Sequence, residues 1–261
     1  MSRFRKYGCC YVATGIAAAM LKLYYSRAGS DELLWILAPV VRWVGILSGI
    51  TFEYLPGVGF INHSLRFVVA PSCSGVQFLM TALLMSVFSF THRMGTVRKG
   101  FSWAVCSTAG IYLYTVFING IRIVLSVYLP QLLQETEFKA GWLTQKRLHT
   151  VIGTTVYFVS LLILYKITDR ASRKIAGDQK ADAIETKRSR MPARQPSVCL
   201  PPFFWYYMVV LGLPFLNRAW SSNRKDFTEY ACLITVVCLV VLILIRLLER
   251  MAGKLQKKTQ V

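Results

Sequence analysis

The sequence predicts an all-α polytopic membrane protein with about six transmembrane helices, an amphipathic helix on the outer face and a short β-hairpin. Of its 261 residues, 54% are hydrophobic and only 16% are charged, which is more apolar than a soluble core of this length requires. The mean hydropathy is +0.45. The net charge of +19 comes from Lys and Arg clustered beside the apolar runs. Such clusters are typical of topology signals and argue against a nucleic-acid-binding surface.

Six apolar runs are long enough, or nearly so, to cross about 30 Å of hydrocarbon. They are residues 8–25, 74–91, 101–120 with a continuation towards 129, 149–167, 200–217 and 228–248. The basic clusters lie at residues 3–6, 91–100 and 166–194 and after Arg246. Because cytoplasmic loops carry the excess of Lys and Arg, we expect both termini inside and Cys73, Arg122 and His149 on the outer side.

Two segments near the N-terminus leave the number of spans open. Residues 2–30 are compatible with a cleaved signal peptide, although Lys22 and the tyrosines after it fit a retained anchor at least as well. Residues 31–50 would make a seventh span, but Arg42 lies near their centre, so we predict an amphipathic helix on the outer face. Residues 51–70 are predicted to form two short strands joined through LPGVG, whose proline and glycines indicate a turn.

The chain is predicted to divide into three parts. Residues 1–167, the front bundle, hold every outer-face residue with reactive chemistry. Residues 168–199 are polar, mixed in charge and low in aromatics, so we predict a cytoplasmic linker. Residues 200–261, the rear helix pair, end in a basic tail and are expected to supply little chemistry.

Among the seven cysteines, Cys73 is the one predicted at the outer interface, in APSCSG where an apolar run begins. The others lie in or beside spans or at the end of the linker: Cys9, Cys10, Cys106, Cys199, Cys232 and Cys238. The odd number argues against a disulfide framework. A helix N-terminus favours a thiolate, Ser74 can cap it, and Gly75 leaves space for another backbone or a substrate. The alternative for Cys73 is a small buried residue at a helix start.

Two further residues share the predicted depth of Cys73. Arg122 lies inside the apolar stretch VFINGIRIVL, where a charge is costly unless it reaches water, a partner or an anion, and Asn119 precedes it on the same helix face. His149 opens the next span, and Gly153 one turn later permits close helix packing. Snorkelling of the arginine and a structural hydrogen bond of the histidine are the alternatives for each residue alone. Together, three such residues on successive helices indicate one site.

The residue types fit acyl transfer. A cysteine thiolate is a nucleophile, a histidine can carry a proton to a leaving amine, and an arginine can hold an oxyanion. No CxxC, HxxxH or acidic partner near Cys73 and His149 suggests a metal site, and no Gly-rich cradle suggests a phosphate site. We therefore expect no metal and no cofactor.

The motifs PSCSG around Cys73, NGIR ending at Arg122 and LHTVIG containing His149 resemble those of the exosortases and archaeosortases, which are membrane cysteine transpeptidases. The resemblance covers roughly residues 31–167, and its overall pattern suggests the exosortase K type. It implies that Cys73 attacks a peptide bond, that Arg122 stabilises the tetrahedral intermediate or fixes the substrate, and that His149 acts as acid and base. An acyl-enzyme would then pass to an acceptor.

The resemblance also implies the partners and the compartment. The substrates would be secreted proteins with a C-terminal tail: a short motif such as Pro-Glu-Pro, one membrane helix and a basic end. The enzyme would lie in the bacterial cytoplasmic membrane, in contact with lipid, with its active site on the outer face. The outer mouth should be electropositive and suit an acidic motif, since its basic residues are Arg66, Arg122, Lys146 and Arg147. The residues expected to bind substrate are Arg66, Asn119, Ser74 and Gly75.

Two other functions stay open on the sequence. A transporter would explain six spans, but coupled carriers commonly place Asp or Glu at mid-membrane, and none lies inside these runs. A non-catalytic membrane scaffold would explain the basic clusters and would leave Cys73, Arg122 and His149 as a coincidence.

Overall fold

The computed structural model describes residues 3–135, 144–181, 200–216 and 224–259. Its helices are α1 (Arg3–Arg27), α2 (Leu34–Ser48), α3 (Val76–Phe90), α4 (Val97–Glu135), α5 (Gln145–Ala181), α6 (Leu200–Tyr207), α7 (Leu213–Leu216) and α8 (Arg224–Thr259). Its strands are β1 (Glu53–Leu55), β2 (Gly59–Asn62) and β3 (Phe67–Val69). Single 3₁₀ turns lie at Pro71–Cys73 and Thr91–Arg93, and the π-helical segment Met208–Gly212 joins α6 to α7.

Within these described ranges, four helical segments are long and apolar enough to cross a membrane. They are Pro71–Arg93, Val97–Leu132, Lys146–Ala176 and Arg224–Leu248. The apolar helices Leu34–Ser48 and Leu200–Phe215 are shorter, and α1 carries several Lys and Arg residues. The prediction of a helical membrane protein is confirmed in general, whereas the count of six spans is not.

Helix α3 is the centre of the bundle. In its apolar window 78% of the residues are buried, and α1, α4, α5 and α6 all pack against it. A helix that is apolar on all sides is typical of a protein core or a membrane span, and α3 is covered mostly by its neighbouring helices. Helix α1 runs antiparallel to α3: Tyr11 stacks on Phe88 at 4.9 Å, and the Tyr25 hydroxyl donates to the Pro71 carbonyl at 3.4 Å. The start of α3 is therefore held from several sides.

Helix α2, which the sequence predicts as an amphipathic helix on the outer face, packs lengthwise along α4. The ring of Trp35 stacks on Tyr112 at 5.9 Å, and further along both helices Trp43 contacts Phe117 at 5.3 Å, so the two helices run parallel. A Cβ atom at Gly120 would collide with the Trp43 ring. The apolar face of α2 packs against α4. The central Arg42 in its sequence did not indicate this packing.

The polar segment before Cys73 forms three antiparallel strands instead of the predicted two, in the order β1, β2, β3. The predicted turn at LPGVG joins β1 to β2. A second turn arises because the Asn62 side chain accepts a hydrogen bond from the Leu65 amide at 2.7 Å and Arg66 adopts φ +49°. A left-handed arginine is uncommon, so this second turn and strand β3 were not predictable from the local residue types. Strand β3 leads directly into the turn that holds Cys73.

The predicted linker at 168–199 begins as regular helix, since α5 continues to Ala181. Asp169 anchors this part by accepting from Arg93 at 2.7 Å and from Arg173 at 2.9 Å. Residues 182–199 lie outside the described residues. The division of the chain into three parts remains a prediction.

Candidate active site

Cys73 ends the 3₁₀ turn between β3 and α3, where it is only 4% exposed. Its amide donates to the Ala70 carbonyl at 2.8 Å. Gly75 follows at φ +78°, and the α-helix begins at Val76. The sulfur thus lies one short turn ahead of the helix N-terminus that the sequence predicted, in a backbone fixed on both sides.

A continuous chain of hydrogen bonds connects Arg122 to the backbone of Cys73. Arg122 Nη1 donates to the Tyr157 hydroxyl at 2.9 Å, and that hydroxyl donates to Asn119 Oδ1 at 2.7 Å. Asn119 Nδ2 then donates to the Cys73 carbonyl at 2.6 Å. Because each group both satisfies and orients the next, helices α3, α4 and α5 hold the arginine and the cysteine in a fixed relation.

The two residues after Cys73 serve this packing and are themselves buried. Ser74 is fully buried, and Gly75 lies so close to Asn119 that a Cβ atom would approach its side chain to 3.1–3.3 Å. With φ +78°, Gly75 also occupies a backbone region that other residues rarely adopt. Gly75 thus allows the amide of Asn119 to reach the Cys73 carbonyl.

Arg122 is a buried cation without a carboxylate. Its side chain is 6% exposed, its Nε has no hydrogen-bond partner, and no ion pair of the described residues includes it. The Tyr157 ring faces the guanidinium at 5.2 Å and supplies partial compensation. The absent Cβ of Gly153 gives the arginine stem room, because that position lies 3.9 Å from Arg122 Cδ. The site can therefore accept a negative charge.

His149 lies in the first turn of α5, with an exposed side chain. It shares with Arg122 a cavity of about 290 Å³, here named the Arg122 cavity. Other lining residues include Ser72, Gln77, Tyr157, Tyr206 and Tyr230. No hydrogen bond of the described residues joins His149 to the Cys73 thiol, and Arg122 lies within electrostatic reach of both. Arg122 is therefore the common neighbour of Cys73 and His149, and Cys73 is not among the residues that line the cavity.

The sequence did not single out Tyr157, although it carries the central hydroxyl. The available signal was its position eight residues after His149 and four after Gly153, which places all three on one helix face. The rear helix pair was also underestimated. Tyr206 is 4% exposed and lines the Arg122 cavity together with Thr154, so α6 contributes to the wall of that cavity.

Arg66 stands apart from the hydrogen-bond chain. It is exposed on the turn between β2 and β3. Arg147, also expected at the mouth, pairs with Glu229 at 3.0 Å and so links the starts of α5 and α8.

Comparison with known proteins identifies the family of the chain. Residues 16–166 match the model of the family described as Transmembrane exosortase (Exosortase_EpsH), which is more than half of the chain. The match includes Cys73, Arg122 and His149 and ends before the rear helix pair. No curated protein and no solved structure matches the chain. The chain belongs to the transmembrane exosortases, a family of membrane transpeptidases.

Proposed function

We propose that the protein cleaves C-terminal sorting tails from secreted proteins through a thioester on Cys73 and transfers the new carboxyl end to an acceptor. The observation that carries the proposal is the buried Arg122 cation, which has no carboxylate and is connected through Tyr157 and Asn119 to the backbone of Cys73.

The charge of Arg122 explains why a nucleophile that generates negative charge suits this site. A buried cation is costly unless an anion or a hydrogen bond compensates it. In the proposed reaction Cys73 gives its proton to His149 as it attacks, so the anion that compensates Arg122 forms during the reaction. When the sulfur attacks, negative charge moves to the substrate oxygen, and the unpartnered Nε of Arg122 offers that oxyanion a donor.

The reaction then proceeds in two balanced steps. The sulfur of Cys73 bonds to the substrate carbonyl carbon, the C–N bond breaks, and the leaving nitrogen takes the proton from His149. An acceptor amine or water next attacks the thioester and gives a proton to His149, and the C–S bond breaks with its electron pair on sulfur. Arg122 stabilises the oxyanion in both steps.

The substrate follows from the family and the position of the site. A protein anchored by its own helix presents its cleavage motif at a fixed depth, so a nucleophile at the outer end of the bundle meets it by diffusion in two dimensions. A Pro-Glu-Pro type motif would bring a carboxylate to the electropositive mouth, where Arg66 and Lys146 are exposed. The enzyme would thus work at the outer face of the bacterial cytoplasmic membrane.

Co-expression with a tail-bearing substrate tests the proposal. We expect the wild-type chain to remove the tail, seen as a smaller secreted product, and Cys73→Ala to leave the substrate whole at an unchanged protein level. Cys106→Ala is the matched control, because Cys106 is exposed in the first half of α4 and outside the Arg122 cavity. Tail removal by the Cys73→Ala chain would reject the cysteine mechanism.

A further inference from the structure

A second cavity lies on the other side of His149. It measures about 150 Å³ and is lined by Phe67, Ser126, Pro130, Lys146, His149 and Ile152; we name it the Ser126 cavity. His149 is the one lining residue that it shares with the Arg122 cavity. His149 therefore contributes to the lining of both cavities.

The two cavities follow one another along the same helix face. Asn119, Arg122, Ser126 and Pro130 are spaced by three, four and four residues on α4, so they point in one direction. Passing along this face from the Cys73 carbonyl, one meets first the arginine and then the Ser126 cavity, which β3 closes through Phe67. A molecule in the Ser126 cavity would approach the arginine and His149 from the end of α4.

The Ser126 cavity offers acceptors for N–H or O–H groups. Ser126 Oγ is buried and has no hydrogen-bond partner. Pro130 lies inside α4 and has no N–H, so the Ser126 carbonyl lacks its usual helical donor. A buried polar group without a partner is costly, which favours a bound molecule that donates to it.

Size and charge limit what can bind there. A volume of about 150 Å³ holds a few waters or one small organic group, and a folded peptide loop would not fit. The exposed ammonium of Lys146 at the rim disfavours a second cation. A neutral amine or a water satisfies both conditions.

From these features we infer that the Ser126 cavity is the acceptor site of the proposed transfer reaction, and that the sorting motif occupies the Arg122 cavity. The acceptor, a small primary amine or water, donates to Ser126 Oγ and is deprotonated by His149. Its nitrogen or oxygen bonds to the thioester carbon, the C–S bond breaks, and the electron pair returns to Cys73. This inference rests on the proposed function and adds the place from which the second substrate arrives.

The inference separates the two half-reactions and can be tested on the full chain in lipid vesicles with a tail-bearing substrate. Ser126→Phe fills the acceptor cavity. We expect the first step, measured as tail release in a single burst, to stay near the wild-type rate. Release of the acyl group by hydroxylamine, a small neutral amine, should become at least about tenfold slower because the approach geometry is lost. The acyl adduct on Cys73 should therefore accumulate, and hydroxylamine should still remove it, but slowly.

The neighbouring position provides a matched control. Leu125 is 40% exposed and lies outside both cavities, so Leu125→Phe adds the same ring without blocking either and should behave as the wild type. If Ser126→Phe does not insert in the membrane, the smaller Ser126→Leu replaces it. Unchanged hydroxylamine release, or an equal loss of both steps, would overturn the acceptor site. A wild-type enzyme that forms no Cys73 adduct would instead contradict the proposed function itself.

Discussion

Arg122 on α4 donates a hydrogen bond of 2.9 Å from Nη1 to the hydroxyl of Tyr157 on α5. This bond ties the buried cation to the helix that carries His149, and the Tyr157 hydroxyl in turn donates to Asn119 Oδ1 at 2.7 Å. Arg122 thereby stays buried beside the cavity, with its Nε free of any hydrogen-bond partner. The position of the Arg122 guanidinium therefore depends on the hydroxyl of Tyr157.

Tyr157→Phe is expected to lower processing by about ten- to a hundredfold, because the guanidinium and Asn119 lose their common partner and the oxyanion donor shifts. Unsatisfied buried groups should also cost about 1–3 kcal/mol in the free energy of unfolding. The control is Tyr114→Phe, which removes a hydroxyl bonded to the Ser160 carbonyl at 2.9 Å. Its unfolding should be similarly affected, with processing unchanged. Equal processing by both variants would remove Tyr157 from the site.

Gly75→Ala is expected to abolish most processing. The alanine would adopt a left-handed conformation, which costs about 1–2 kcal/mol, and its Cβ would push Asn119 away from the Cys73 carbonyl. Gly57→Ala carries the same conformational cost at φ +75° but has open space around the new Cβ. Thermal unfolding and processing should therefore separate: both variants lose stability, and only Gly75→Ala loses activity. Normal processing by Gly75→Ala would show that the contact with Asn119 is dispensable.

The attachment of the sheet should depend on pH. Asp31 accepts hydrogen bonds from the Tyr54 hydroxyl at 2.5 Å and from the Gly57 amide at 2.9 Å, and these lower the pKa of Asp31. A lowered pKa means that the stabilisation is complete above the unfolded-state value of about 3.9 and is lost as pH falls through the folded-state value. Hydrogen exchange of the Gly57 amide, corrected for its intrinsic rate, should therefore lose protection in acid. In Asp31→Asn this loss should be absent, and a persistent loss would assign it to another group.

The predicted orientation can be measured with reporter fusions. Because the basic residues at 91–100 should be cytoplasmic, a fusion after Thr96 and a fusion after Thr144 should report opposite compartments. Helix α4 lies between these positions and contains the candidate span Val97–Leu132. If both fusions reported the same compartment, α4 would not cross the membrane. Cys73 and the Arg93 end of the bundle would then lie on one side, which would contradict the outer-face site.

Local patterns predicted much of the bundle. The apolar runs around α3, α4, α5 and α8 correspond to the four candidate spans, and the order of Cys73, Arg122 and His149 on successive elements was visible as three motifs. Burial of a charge in an apolar run has few explanations, so Arg122 was recognisable without a structure. These features need only the neighbouring sequence.

Features that depend on contacts between distant segments escaped prediction. A tyrosine in an apolar helix normally indicates core packing, so the role of Tyr157 appeared only when Asn119 and Arg122 were placed beside it. The parallel packing of α2 on α4 depends on the missing side chain of Gly120. Likewise, Tyr206 reaches the Arg122 cavity from outside the matched family region. Each case joins residues far apart in the chain.

The central claim is that a thioester forms on Cys73. The most direct measurement is peptide mapping by mass spectrometry after the enzyme and a tail-bearing substrate are quenched in acid during turnover. We expect the peptide with Cys73 to carry, as a thioester, the substrate peptide that ends at the cleavage site. Its mass should be the sum of the two peptides less one water, and hydroxylamine should remove the added group. The adduct should be absent from Cys73→Ala and present in Cys106→Ala. Tail removal without any Cys73 adduct, at the same rate in Cys73→Ala as in the wild type, would contradict the account.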